Sequence, residues 1–538
     1  MWDCHATSLW PEKCRLGSEA ARTTRSAEHP PSLRDDAGCR KSVRPPILTA
    51  QEHYFSNLHR PFCLAKTVIK FRIRSLHILP VVLLACSLLP APAQAQFSQQ
   101  GPKLVGTGAV FVAEQGVSVA LSGDGNTAIV GGFDDDNEIG AAWVYTRSGG
   151  AWSQQGPKLH ATGVIGPYGG ALGISVSLSG DGNTALVGGY ADNNLAGAAW
   201  VYTRSASVWS QQAKLIGMGA VGPFGAGQGF SVSLSRDGNT AILGGPFDNA
   251  EAGAAWVFTR SGGVWSQQGA KLVGMGAVGS NSYSAEQGWS VSLSGDGNTA
   301  IVGGFMDNDF AGAAWVFTRS GGVWSQQGAK LVGTGAVGSA YQGSAVSLSG
   351  DGSTAIVGGF GDGAGPGAAW VYTRSNGMWG QEAKLVGTGT ASPYTSYGQG
   401  ASVSLSGDGN TAIVGGEGDN GSAGAAWVYT RSSGVWSQQG AKLVGAGAVG
   451  SAYQGSSVAL SADGITAVVG GYGDNGFAGA AWVYTKPAFA GTPGNANCHG
   501  KSVSALGRQY GGLNAAAATL GYPSVQALQN AIMEVCEG

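Results

Sequence analysis

The chain is built from short stretches in which apolar and polar residues alternate. In SVSLS, Val232 and Leu234 flank Ser233. TAIVGG follows, then AAWVYTR, in which Trp200 and Tyr202 share one face of an extended chain and Ala199 and Val201 the other. A fourth stretch, VWSQQGAKLVG, completes the unit. A period of two, rich in β-branched and aromatic residues, predicts strands, because successive side chains of a strand point to opposite faces. Asp-Gly between the first two stretches predicts a hairpin, since glycine tolerates positive φ. Ser-Gly-Gly predicts the turn into the fourth.

The unit recurs seven times. Its turn aspartate is Asp124, Asp181, Asp237, Asp296, Asp351, Asp408 and Asp463, and its tryptophan is Trp143, Trp200, Trp256, Trp315, Trp370, Trp427 and Trp482. A four-stranded sheet that is apolar on both faces cannot bury either one alone. Stacking a large-residue face (Trp, Tyr, Val, Leu) on a neighbour's small-residue face (Ala, Ser, Gly) solves this, and radial repetition of such sheets is a propeller. The expected fold class is therefore all-β, a seven-bladed β-propeller of four-stranded blades over residues 96–486. The seventh copy stops at Lys486-Pro487 without its fourth strand. That strand stands at the other end, as FSQQGPKLVGTG over residues 97–108. It is expected to complete the last blade and so remove exposed sheet edges.

The two ends read differently. Residues 1–67 show no period and are taken as a non-native or disordered extension. Residues 68–95 carry a basic start (Lys70, Arg72, Arg74), an apolar run over 76–89 and the small-x-small sequence Ala93-Gln94-Ala95. This is the pattern of a signal peptide cleaved after Ala95, which predicts a secreted, periplasmic or cell-surface protein. The run is shorter than the ~20 residues a bilayer span needs, so no membrane span is expected. Past the cleavage site only Cys498 and Cys536 remain, an even pair that predicts a disulfide in an exported chain. After a linker at 487–497, Ser524 precedes a helical stripe of Val525, Leu528, Ile532 and Val535. With Val503, Leu506, Tyr510 and the segment 513–520, it predicts a small helical module over 498–538. A module this small needs the staple.

The run from SVSLSGDGNTAIVGG to GAAWVYTR resembles FG-GAP repeats, the units of the integrin α-subunit head and of many bacterial secreted proteins. The resemblance covers roughly residues 97–486 and implies adhesion or ligand binding. Calcium-binding repeats of that family carry a DxDxDG loop, where this chain has SGDGN with a single carboxylate. Here the repeated aspartate is read as a turn builder.

Composition narrows the function. A net charge of −2, with no basic stripe, argues against nucleic acid as a partner. Only His160 and His499 follow the cleavage site, which gives no support to a Ser-His-Asp triad. The blades are nearly identical, whereas an enzyme should break that symmetry near the axis, so no catalytic residues are expected. No cofactor is required. Calcium, which favours 6–8 oxygen ligands, has its best candidate in Asp134, Asp135 and Asp136, within an acidic turn between the second and third strands. The bland reading of those turns is a solvated loop. The variable inter-blade loops carry Tyr168, Phe224, Tyr283, Tyr341, Tyr394, Tyr397 and Tyr453. Such aromatics either meet a partner or plug the gap between blades. The expected function is a secreted binding or adhesion scaffold for an extracellular protein. A lectin-like, glycan-binding propeller is the alternative, and a propeller lyase or glycosidase stands third.

Overall fold

The computed structural model describes residues 96–166, 169–222, 225–279, 284–391, 398–486, 497–519, 522 and 524–537. The expected signal peptide, the extension before it and most of the expected linker lie outside them. In blade 3, the strands Ser231–Leu234, Thr240–Gly245, Ala254–Ser261 and Val264–Gln267 pair in sequence order as one antiparallel sheet. Seven such sheets form a β-propeller. Blade 1 starts at Ser118, blade 2 at Ser175, blade 4 at Ser290, blade 5 at Ala345, blade 6 at Ser402 and blade 7 at Ser457. Each inner strand lies beside the inner strands of the blades before and after it.

The core is a set of seven seams. In the seam between blades 2 and 3, Trp256, Phe258, Leu243 and Ala254 of blade 3 pack on Leu186, Ala199 and Val201 of blade 2. The seam between blades 7 and 1 does the same with Trp143, Tyr145 and Val130 against Val468, Ala481 and Val483. The alternation read from AAWVYTR therefore holds, although the receiving face is Ile, Ala and Val rather than Ala, Ser and Gly. The tryptophans are close to fully buried. Each leaves room for nothing larger than glycine at some points: a Cβ at Gly274 would stand 2.2 Å from the Trp315 ring.

Near the axis the seams are tied by backbone. Gly123 donates its N–H to the carbonyl of Gly180, Gly180 to Arg236, Arg236 to Gly295 and Gly295 to Gly350. Gly350 donates to Gly407, Gly407 to Ala462, and Ala462 back to Gly123, every bond 2.8–3.0 Å long. These residues precede the repeated aspartates, so the turn that builds each hairpin also closes a ring of seven hydrogen bonds. The turn itself is self-capped. Asp237 accepts from the Ser235 hydroxyl at 2.5 Å and from the Asn239 N–H at 2.9 Å.

Blade 7 is completed from the N-terminus. Ser98 pairs with Thr485 and Gln99 with Tyr484, antiparallel, and Leu104 bridges Ala481 farther along. Phe97 enters the seam between blades 6 and 7. The outer strands show one difference from expectation. In blades 2 and 5 they run for eight residues, Val208–Leu215 and Met378–Leu385. In blades 1, 3, 4 and 6 they stop after four, as at Val264–Gln267, and in blade 7 after two, Ser98–Gln99, and the chain rejoins through an isolated bridge such as Leu272 to Ala255. The cause is one inserted residue. SQQGAKL carries a glycine that SQQAKL lacks, and Gly269 turns out of the ladder at φ +77°.

The C-terminal segment forms three helices, α1 (Cys498–Tyr510), α2 (Leu513–Thr519) and α3 (Val525–Glu537). Leu506, Ala516, Leu528 and Ile532 are buried between them. Ser524 caps α3 through the Ala527 N–H at 3.1 Å, and Cys498 and Cys536 form a disulfide with Cα atoms 5.6 Å apart.

If the N-terminal strand closes the ring, a protein lacking residues 96–104 should lose cooperative unfolding at the wild-type midpoint and melt well below it. Thermal unfolding followed by tryptophan fluorescence reads this; an unchanged midpoint would contradict the closure.

Candidate functional site

One face of the ring carries the turns between second and third strands and the lead-in loops to each blade. Each turn begins with a buried aspartate: Asp135, Asp192, Asp248, Asp307, Asp362, Asp419 or Asp474. The leading aspartate is withdrawn from solvent, whereas residues after it, such as Asn193 and Asn194, are exposed. In blade 3, Asp248 accepts the Val221 N–H at 2.8 Å through one oxygen and pairs through the other with Lys271 at 2.5 Å. Lys271 in turn lies 5.9 Å from the centre of the Trp256 ring. All seven blades repeat the ion pair, from Lys103–Asp474 to Lys442–Asp419. The carboxylate holds a backbone that needs holding. Asn193, Asn194 and Leu195 stand at φ 51°, 57° and 68° in succession, and left-handed L-residues cost roughly 1–2 kcal/mol each. Asn, Asp and Gly, which tolerate that region best, fill most of these positions.

The last residue before each Gln-Gly, or Leu-Gly in blade 2, reaches back to the preceding blade. Tyr341 donates its N–H to Phe310 and Tyr453 to Ser422, both at 2.9 Å. Their side chains lie over the residue just before the turn aspartate in their own blade. A Cβ at Gly361 would stand 2.5 Å from the Tyr341 ring, and one at Gly473 2.4 Å from that of Tyr453. In blade 3 the sizes are exchanged, with Gly227 against the Phe247 ring. Tyr341 stacks on Phe360 at 4.7 Å and Tyr453 on Tyr472 at 4.9 Å. Both tyrosines are half-buried and fill space between elements. The other loop aromatics, Tyr168, Phe224, Tyr283, Tyr394 and Tyr397, lie outside the described residues.

Asp134, Asp135 and Asp136 share one turn but do not act alike. Asp135 is buried, with Lys158 on one oxygen and the Val110 N–H on the other at 2.8 Å. Asp134 and Asp136 are half-buried beside it. Among the described residues no group of three or more His, Cys, Asp or Glu side chains is placed to hold a metal ion. His160 is exposed.

Two residues that the sequence reading passed over break the symmetry of the ring. Phe230 and Trp289 stand immediately before the inner strands of blades 3 and 4, with ring centres 4.5 Å apart. Tyr190, Phe247 and Phe305 extend them into an arc. The other blades carry Val117, Ile174, Ser344, Ala401 and Ser456 there. Comparing the repeats column by column, rather than loop by loop, would have exposed both.

Three glutamates near this face are buried: Glu114, Glu286 and Glu417. Burial pushes each carboxyl up to about 8, helped by Asp134 beside Glu114 and by Glu251 beside Glu286. One oxygen of Glu114 and one of Glu286 are buried without a donor. The opposite face behaves the other way. Burial opposes ionisation of Asp124 there, yet hydrogen bonds from Ser122 and Asn126, with Arg147 nearby, outweigh it and hold the carboxyl below its usual range.

No protein-family profile matches the chain, and no curated protein matches it.

Two predictions follow from these ties. Removing the anchor with Asp307→Ala leaves Lys330 and the Val278 N–H unpaired and should cost about 3–5 kcal/mol in urea unfolding; a near-neutral result would contradict the assigned role. Folding raises Glu286 from about 4.5 to about 8, so between those values the folded chain holds a proton the unfolded chain has lost. Its contribution to stability is then full below pH ~4.5 and falls as pH rises to about 8. Glu286→Gln should therefore stabilise at pH 8 by on the order of 1–3 kcal/mol and much less at pH 5. A gain independent of pH would contradict this.

Proposed function

We propose that the protein is an exported, non-catalytic binding scaffold of FG-GAP type, which presents the lead-in loops of one face to an extracellular protein or cell-surface partner. The observation that carries this reading is how its charged groups are spent. Seven Asp–Lys pairs hold the turns of one face. On the other, each arginine near the end of the third strand is built into the frame. Arg260 donates to Asn239 of its own blade and to Gln212 and Thr184 of blade 2, and lies 5.3 Å from the Trp265 ring centre. Apart from the three buried glutamates, which stand in different blades, few charged groups near the frame are left over, whereas the lead-in loops vary in length and side chain from blade to blade. Loops on a rigid frame are where recognition residues concentrate. The amino-terminal export pattern and the Cys498–Cys536 disulfide fit an oxidising compartment.

The lectin reading has one specific support: Phe230 and Trp289, half-exposed at the mouth of the ring, offer flat faces of the kind sugars stack on. The two readings separate in one experiment. The purified protein is immobilised and offered a glycan array and a panel of extracellular proteins. Retention of a protein partner over a blank array is expected. Selective glycan binding that disappears in Trp289→Ala would put the lectin reading first.

A further inference from the structure

Blades 1, 5 and 7 are led in by loops of equal length. They read Val110-Phe111-Val112-Ala113-Glu114, Val337-Gly338-Ser339-Ala340-Tyr341 and Val449-Gly450-Ser451-Ala452-Tyr453. Their backbones agree. The second residue has φ 60°, 72° and 75°, and the fifth 53°, 57° and 53°. In each, the valine N–H meets the buried aspartate of the turn at 2.7–2.8 Å. Blades 5 and 7 therefore serve as internal controls, and within the lead-in loop what differs in blade 1 is side-chain chemistry.

Three exchanges set blade 1 apart. First, Phe111 takes a left-handed position that is glycine in blades 2, 3, 5 and 7 (Gly166, Gly222, Gly338, Gly450). A bulky residue there is an outlier, and such strain persists where something selects for it. A Cβ at Gly338 or Gly450 meets nothing within 4 Å, so the ring stands in the open, 73% exposed, beside Val112. Second, the tyrosine plug is replaced by Glu114, which is only 6% exposed, faces Asp134 and has one oxygen without a donor. Third, the turn beneath carries Asp134, Asp136 and Glu138, where blade 5 has Gly361, Gly363 and Gly365. The Asp136 N–H donates to the Val110 carbonyl at 3.1 Å, which fixes this acidic turn against the loop. Lys158 is taken by Asp135, and among the described residues no cation pairs with Asp134, Asp136 or Glu138.

We propose that this part of blade 1 is a docking surface for a basic segment of a partner protein, whose arginine or lysine meets Asp136 and Glu138 while an apolar neighbour packs on Phe111. The inference rests on the binding-scaffold reading and adds the site and the partner's chemistry. An aromatic face beside unneutralised carboxylates is complementary to a guanidinium, which stacks on the one and forks onto the other. The exposed valine and ring supply the apolar contact.

The test uses two fluorescent synthetic peptides, one alternating arginine and leucine and the other glutamate and leucine. Anisotropy is measured with the purified protein at low and at raised salt. The basic peptide binds, and raised salt weakens it; the acidic one does not bind. Phe111→Gly restores the residue of the sister blades, so its melting point is equal to or above wild type while binding falls about tenfold, a change of 1.4 kcal/mol. The pair Asp136→Asn with Glu138→Gln lowers binding to a similar extent and removes most of the salt dependence. Wild-type affinity in both variants, or equal binding of the two peptides, overturns the site. If the wild type binds neither peptide, the site also falls, whereas the scaffold reading is decided separately by the array and protein panel.

Discussion

Everything in this propeller depends on one packing event repeated seven times, the lodging of a tryptophan face on the neighbouring blade's aliphatic face. No blade has a core of its own. Trp256 is buried against Leu186, Ala199 and Val201 of the blade before it, and those residues in turn are buried by it. A blade is thus stable only between two others, and the array is stable only if it closes. That requirement explains why a strand is displaced to the N-terminus. With Phe97 and Leu104 in the seams on either side of blade 7, closing the circle uses the same apolar contacts as the rest of the ring. Large-to-small changes at such tryptophans typically cost about 3–5 kcal/mol, and here each would weaken two blades.

The same constraint explains where charge goes. With only 12% charged residues, the chain has few to spare, and from residue 96 onward the repeats assign most of them to fixed posts. The Lys–Asp pair sits against the tryptophan it helps to cover, and the arginine ties one blade to the next. Recognition is therefore to be sought in departures from the repeat rather than in the repeat itself. Phe230 and Trp289 are one such departure, and Phe111 with its acidic turn is another.

The strands, their faces and the N-terminal closure were legible because a period of two and a sevenfold repeat are properties of the sequence itself. The meaning of the acidic turns was not. Asp135 reads as solvated because its partners, Lys158 and the Val110 N–H, lie 23 residues after and 25 before it and approach only in the folded ring. Tyr341 was offered as either recognition or plug, and its stack on Phe360 over Gly361 favours the plug, a pairing no local pattern reveals. The shortened outer strands turn on a single inserted residue, too small a signal to separate from the strand period around it.

The central claim, that seven equivalent seams make one closed unit, is tested most directly by native-state hydrogen exchange at the ring of amides nearest the axis. Gly123, Gly180, Arg236, Gly295, Gly350, Gly407 and Ala462 all donate across a seam. They should open together, with one common protection free energy equal to that of global unfolding. Markedly faster exchange at Gly407 and Ala462 alone would mean that the seams flanking the blade completed by the N-terminal strand open independently, and would contradict the account.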